Sequence, residues 1–325
     1  MPAVTPAIGP PLLVSLDDIR AAAQRTSSHV HRTPVLWSTS LGERLGCRLA
    51  FKAELFQRTG SFKVRGVLNR LLTLPAEALG RGLITLSAGN HGAALAWAAR
   101  ANHTRATVVM PATAVPSKIE AVRAYGGEPV LTSGNLLAEC QRLERERGLT
   151  LVHPFDDPMV IAGQGTVGLE LMEQVPDPDL VVVPVGGGGL IAGIAAAVKR
   201  LRPATRVVGV EPSAADVMSR SLALGRPTRL DGQQTIADGL AAPFAGELTY
   251  AHVRALADSV VRVEEQDIIA ALRLILQRLK LVVEPAGAAA LAALLAGAVA
   301  LERDTSVVCV LSGGNMDPEV LKRTL

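Results

Sequence analysis

An α/β fold, with parallel sheets covered on both faces by helices, is predicted for this 325-residue chain on three observations. Short apolar segments alternate with helical ones along most of its length, which is the rhythm of βα units. Hydrophobic residues make up 49% of the chain and aromatic ones only 3%, with a mean hydropathy of +0.30; the core must therefore come from aliphatic strands packed on small-residue helices. Glycine-containing turns close several of the strands and lead straight into helices.

The elements follow in order. After a Pro-rich arm over residues 1–14, Ser15-Leu16-Asp17-Asp18 has the form of a capping box and opens a helix to about residue 26. Residues 33–36 and 48–52 read as short extended pieces around a helix over 39–45. Apolar residues at 64, 67, 68, 71 and 72 keep helical spacing, with Ser61 the expected N-cap. Strands are expected at 83–86, 106–110, 129–132 and 151–153, separated by helices at 93–101, 117–125 and 135–147. A helix over 162–175 precedes a buried strand at 180–185, a loop of four glycines and a helix at 190–201. A strand at 207–210, a helix at 264–279, an apolar piece at 281–283, an alanine-rich helix over 286–301 begun by Pro285, and a strand at 306–311 complete the chain.

Several classes of function are excluded. The net charge of +3 is small, and basic residues are interleaved with acidic ones, as in Arg142-Leu143-Glu144-Arg145-Glu146-Arg147, so nucleic acid is not implied. The uncharged run 180–198 is interrupted by Pro184 and Gly186–Gly189, which argues against a membrane span. Cys47, Cys140 and Cys309 are odd in number and far apart, and no secretory pattern opens the chain; a reducing, cytoplasmic setting is expected.

Chemistry is suggested by four loops. Lys63, together with Arg65, falls in the first turn of its helix, where the dipole disfavours positive charge by about 0.3–1 kcal/mol. Such a lysine is biased toward the neutral amine that forms a Schiff base or takes a proton. Gly186-Gly187-Gly188-Gly189, between an apolar strand and a helix, suits a phosphate, because glycine lets backbone N–H groups approach it closely. The phosphate could belong to a dinucleotide: Gly187-x-Gly189-x-x-Ala192 with Glu211 at the end of the next strand fits a relaxed nicotinamide-nucleotide fingerprint and an oxidoreductase. That reading gives no task to Lys63, to the turn Ser87-Ala88-Gly89-Asn90-His91-Gly92 or to the turn Ser312-Gly313-Gly314-Asn315. Pyridoxal phosphate gives a task to all four.

The ordered motifs Thr59-Gly60-Ser61-Phe62-Lys63-Val64-Arg65-Gly66, Ser87 to Gly92, Gly186 to Gly189, Thr235-Ile236-Ala237-Asp238-Gly239-Leu240, Glu284-Pro285 and Ser312 to Asn315 resemble the fold-type II pyridoxal-phosphate enzymes, the tryptophan synthase β-like fold. Within these the chain is similar to the serine/threonine dehydratase and serine racemase family from about residue 15 onward. The resemblance implies a large domain (1–78 and 156–325), an inserted mobile domain (79–155) and pyridoxal 5'-phosphate in the cleft between them. It implies that Lys63 holds the cofactor as a Schiff base and acts as the base, with Phe62 flanking the ring. Asn90 would bond the ring hydroxyl, Gly186, Gly187, Gly188 and Gly189 the phosphate, and Ser312 the pyridine nitrogen, with Glu284 near the ring. Ser87, Ala88, Gly89, Asn90 and His91 would receive the substrate carboxylate at a helix N-terminus.

The implied reaction is dehydration of a β-hydroxy-α-amino acid, L-threonine, L-serine or a bulkier one such as phenylserine or hydroxyaspartate, to a 2-oxo acid and ammonia; a β-replacing lyase or synthase of the same fold is the alternative. Racemases of this family carry a second serine where this chain has Ala88, so racemisation is not expected. For the family's divalent cation the candidates are Glu211 and the Ala215 carbonyl, but the second-acid position holds Val217 and Asp216 is displaced by one, so no metal is expected with any force. Asp238 reads as a turn cap, and His29, His31, His103, His153 and His252 as structural. A homodimer or homotetramer without feedback control by a branched-chain amino acid is expected.

Overall fold

Each apolar segment expected as a strand, except 281–283, enters one of two sheets. The structure, a computed structural model, describes residues 12–324, so the arm expected over 1–14 lies largely outside the described residues.

The first units run α1 (Leu16–Thr26), β1 (Val35–Trp37), α2 (Thr39–Leu45), β2 (Arg48–Ala53), α3 (Lys63–Leu71) and α4 (Ala76–Arg81). At the start of α1 the Ser15 hydroxyl accepts the Asp18 N–H at 3.1 Å and the Asp18 carboxylate accepts the Ser15 N–H at 2.8 Å, the reciprocal capping box that the sequence predicts. Next come β3 (Leu83–Leu86), α5 (Asn90–Ala101), β4 (Ala106–Pro111), α6 (Pro116–Ala124), β5 (Glu128–Thr132), α7 (Leu136–Arg147) and β6 (Thr150–Leu151). These strands pair in parallel in the order β5-β4-β3-β6.

The remainder is α8 (Pro158–Gln174), β7 (Leu180–Pro184), α9 (Gly189–Leu201), β8 (Arg206–Pro212), α10 (Val217–Leu224), α11 (Glu247–Leu256), β9 (Ser259–Val263), α12 (Glu265–Leu274), α13 (Pro285–Leu295), β10 (Ser306–Leu311) and α14 (Pro318–Thr324). With β1 and β2 these strands build a six-stranded sheet, β1-β2-β10-β7-β8-β9. It departs from the all-parallel expectation at one edge, where β1 runs antiparallel to β2 with Val35 opposite Lys52. A three-residue strand cannot show its direction in sequence. The strand β9 and helices α10 and α11 escape the sequence pattern, and the helix expected over 264–279 changes to a wider π turn at Ile275.

Glycine decides where Lys63 sits. A Cβ on Gly163 of α8 would lie 2.5 Å from Gly66 Cα in α3, and one on Gly193 of α9 would lie 2.4 Å from Gly165 N in α8. Each of the outer helices α3 and α9 thus packs backbone to backbone on α8, and α3 is pinned against α8. Beneath α3 lies a buried charge cluster that the sequence reading missed. Arg65, given there only as a first-turn cation, is fully buried and forks onto Glu54 at 2.8 Å through both Nε and Nη2. It also reaches Glu170, which in turn accepts from buried Lys52 at 2.6 Å. The three cysteines are free and buried, Cys309 in the middle of β10. Among the described residues no helix is long and apolar enough to cross a membrane.

Candidate active site

Five of the loops that leave the C-terminal ends of parallel strands converge on one cavity of 450 Å³: those after β3, β5, β6, β7 and β10. That is the end at which open α/β sheets bind ligands.

Lys63 begins α3, but not as the sequence reading had it. Ser61 is extended rather than capping, with φ −160° and ψ 162°, and its buried hydroxyl has no partner; Phe62 takes the N-cap position without a side-chain bond. What holds this start is the turn after β10. Phe62 N–H donates to the Ser312 carbonyl at 3.1 Å, Gly314 N–H donates to the Gly60 carbonyl at 2.9 Å, and Ser61 bridges Gly313. The Lys63 ammonium donates to the Pro154 carbonyl at 2.9 Å and lies 5.3 Å from the centre of the Phe62 ring. Burial brings its pKa down to about 8, against the pull of the Glu284 carboxylate.

Asn90 and Glu284 belong to the same network. The Asn90 amide donates to Glu284 Oε1 at 2.6 Å, and its oxygen accepts from Asn315, which also donates to the Thr59 carbonyl at 2.8 Å. Burial pushes the Glu284 carboxyl up to about 7, and its Oε2 has no partner. Ser87, Ala88 and Gly89 line the cavity at the N-terminus of α5. His91 lines it too, buried, with one ring nitrogen 3.1 Å from the Val152 carbonyl and its Nδ1 unpartnered; burial, with Lys63 nearby, keeps the ring neutral.

The sequence reading missed several residues here. His153, set down as structural, lines the cavity, and its Nδ1 accepts the N–H groups of Phe155 and Asp156 at 3.3 and 2.8 Å, so its proton sits on Nε2. Asp238 does more than cap a turn: it pairs with Lys118 from α6, and Ser117 donates to Asp317 at 3.0 Å, so α6 reaches across the cleft. His153 sits just beyond β6 and Lys118 in the first turn of the helix that follows β4, at the end of the four-stranded sheet where such sites form.

Glu211 serves α10. Its carboxylate accepts the N–H of Met218 at 2.7 Å and of Ser219 at 2.8 Å, and the Ser219 hydroxyl at 2.7 Å. Ala215 closes a short 3-10 turn, and Asp216 takes Arg220 and Arg262. Neither the metal nor the ribose reading keeps a free carboxylate at 211, and among the described residues no three His, Cys, Asp or Glu side chains group as a metal site. Burial raises the Glu211 pKa from 4.5 to about 7. The folded form then binds a proton that the unfolded form has released between those values, so stability falls as pH rises through that window, by up to about 1.4 kcal/mol per pH unit. Glu211→Gln is expected to flatten the fall in denaturation midpoint from about pH 5 to about pH 7; an unchanged slope would assign it elsewhere.

Comparison with known proteins fits this geometry. The family description "Pyridoxal-phosphate dependent enzyme" matches residues 26–313. The chain belongs to the pyridoxal-phosphate-dependent enzyme family. It is 45% identical over 306 residues to an L-threonine ammonia-lyase of Geobacter sulfurreducens, covering 93% of this chain and 76% of that one. Among solved structures, maize serine racemase superposes with a TM-score of 0.92 at 40% identity, covering 96% of this chain and 97% of that one. A bacterial relative, the threonine deaminase of T.th., gives 0.88 at 46% identity, covering 93% and 99%. The chain is thus a fold-type II enzyme of the threonine dehydratase and serine racemase kind, a lyase rather than an oxidoreductase.

The residues present fit the family's cofactor. The Gly186–Gly189 loop is a cradle that side chains would fill: a Cβ on Gly187 would lie 2.3 Å from Phe155 Cδ1 and one on Gly186 3.1 Å from Leu240 Cα. Gly188 has φ +90° and stands as the N-cap of α9, whose first amides offer the anion site. The buried Ser312 side chain lines the cavity, as do Lys63 and the unpaired edge of Glu284.

Proposed function

We propose that this enzyme is a dehydratase, or ammonia-lyase, of β-hydroxy-α-amino acids, with Lys63 as both the covalent tether of the cofactor and the base. Pyridoxal phosphate, when bound, supplies an electron sink that acidifies the substrate Cα–H. The glycine loop at the start of α9 would hold its phosphate end and Ser312 its pyridine nitrogen. A serine hydroxyl cannot keep that nitrogen protonated as a carboxylate would, which favours prompt elimination over long-lived carbanions.

The substrate carboxylate is received at the N-terminus of α5, by Ser87 to His91. The Lys63 amine takes the substrate Cα proton; a pKa of about 8 leaves a usable neutral fraction near neutral pH. The Cβ–O bond breaks and the hydroxyl leaves as water. The enamine that elimination yields hydrolyses, and the net products are a 2-oxo acid and ammonium.

Ala88 carries the choice between elimination and racemisation. In the stretch that receives the carboxylate it presents a methyl group to the cavity, and a methyl cannot deliver a proton to the face opposite Lys63. We assign the mobile role to residues 79–155, closing over the site through Lys118 and Asp238. Release of 2-oxo acid and ammonia across a panel of 3-hydroxy amino acids tests the reading. Equimolar release from at least one member is expected, and none from any would overturn it.

A further inference from the structure

Phenylalanine is scarce in this chain, five residues in 325, yet Phe62, Phe155 and Phe244 all line the cavity that holds Lys63. Phe62 is taken by the cofactor side. The other two come from loops 89 positions apart, after β6 and before α11, and meet with ring centres 5.3 Å apart at 55°. His153 adds a third ring, edge-on to Phe155 at 4.7 Å and 86°, and 6.1 Å from Phe244. Leu136 and Leu137, from the first turn of α7, line the same cavity.

The wall is held in place. Phe155 is seated on the bare backbone of Gly187 and Gly189. Phe244 is fixed by a backbone bridge to Arg229 and by the Arg229 guanidinium, 4.7 Å from the ring centre. Arg229 is at the rim and spends its face on that ring, so it is not a cation presented to an acidic substituent deep in the cavity.

We propose that this aromatic wall selects 3-hydroxy amino acids carrying an aryl group on Cβ in preference to threonine and serine. This rests on the elimination reading above. An aryl substituent packs edge-to-face or offset against fixed rings, whereas a methyl or hydrogen leaves those rings in contact with water. The chemistry balances without any added reagent: the Cα proton passes to Lys63, the benzylic hydroxyl leaves as water, and hydrolysis of the enamine gives an aryl-substituted 2-oxo acid and ammonium.

The test uses the cofactor-loaded enzyme with L-phenylserine, L-threonine and L-3-hydroxyaspartate. At least about a tenfold higher kcat/KM is expected for phenylserine over threonine. Phe244→Ala should lower the phenylserine value about tenfold and leave threonine within about threefold, with Phe244→Leu as the volume-keeping control. Calorimetric titration with L-phenylalanine and L-2-aminobutyrate, which lack the hydroxyl and cannot eliminate, should show the same order and the same dependence on Phe244. Preference for threonine or hydroxyaspartate would overturn the inference while leaving the elimination reading intact, and so would equal losses on all substrates in Phe244→Ala. If no substrate releases a 2-oxo acid, the elimination reading fails, and the two non-reacting ligands still decide what the wall selects.

Discussion

Arg65→Ala is expected to cost about 3–5 kcal/mol of folding stability, the range for breaking a buried ion pair from one side. Its guanidinium is fully buried, with both ends of its fork committed: Glu54 on one side, Glu170 and Thr166 on the other. With Lys52 the cluster contains two cations and two carboxylates, so it is neutral as built. Removing Arg65 leaves the fully buried Glu54 carboxylate and the partly exposed Glu170 carboxylate facing one ammonium, with Glu54 stripped of both bonds from the guanidinium fork. Arg65→Lys should recover only part of the loss, since an ammonium cannot satisfy two carboxylates in a planar fork. Denaturant midpoints at fixed pH decide the point; a change below about 1 kcal/mol would show that the cluster relaxes freely. Because Arg65 is two residues from Lys63 on the same helix, activity should fall even at temperatures where the variant is folded.

Lys63→Ala has the largest expected effect on turnover, a loss of about 1,000-fold or more, because in the proposed mechanism one residue supplies both the covalent tether and the proton acceptor. Its effect on the cofactor-free fold has the opposite sign. The amine titrates near 8 in the folded chain against an ordinary 10.5. Between these values the unfolded chain holds the extra proton, so this group's contribution to stability improves as pH rises through that window and is a cost at all pH below about 8. Removing it should stabilise the cofactor-free protein at neutral pH by about 1–3 kcal/mol, less what is lost with the bond to Pro154 and the space vacated. Lys63→Met, which fills that space, separates the two terms. Turnover within tenfold of wild type in either variant would remove Lys63 from the chemistry.

The βα rhythm was legible because strands such as β4, β7 and β10 are runs of aliphatic residues and helices such as α5, α9 and α13 are rich in alanine, a pattern carried by local composition. The second edge was not: β9 and helices α10 and α11 lie around the Pro- and Gly-punctuated stretch 225–246, where no period survives. The motif loops could be read because glycine and lysine in those places make little sense otherwise. Ser61 misled for a local reason. Its residue type suits a helix cap, but the hydrogen bonds from Phe62 N–H to the Ser312 carbonyl and from Gly314 N–H back to the Gly60 carbonyl tie it to a turn some 250 residues away and hold it extended. Glu211 misled similarly, since the helix it caps was itself unseen. Arg65 and Phe244 take their roles from partners brought together only by the tertiary fold, and nothing in their immediate neighbours announces it.

The central claim is elimination without racemisation, and L-serine incubated with the cofactor-loaded enzyme tests it most directly. Pyruvate and ammonia are expected in equal amounts, with D-serine forming at least about 100-fold more slowly, because in the proposed mechanism the base on one face has only the methyl of Ala88 opposite it. D-serine appearing as fast as pyruvate would contradict the account.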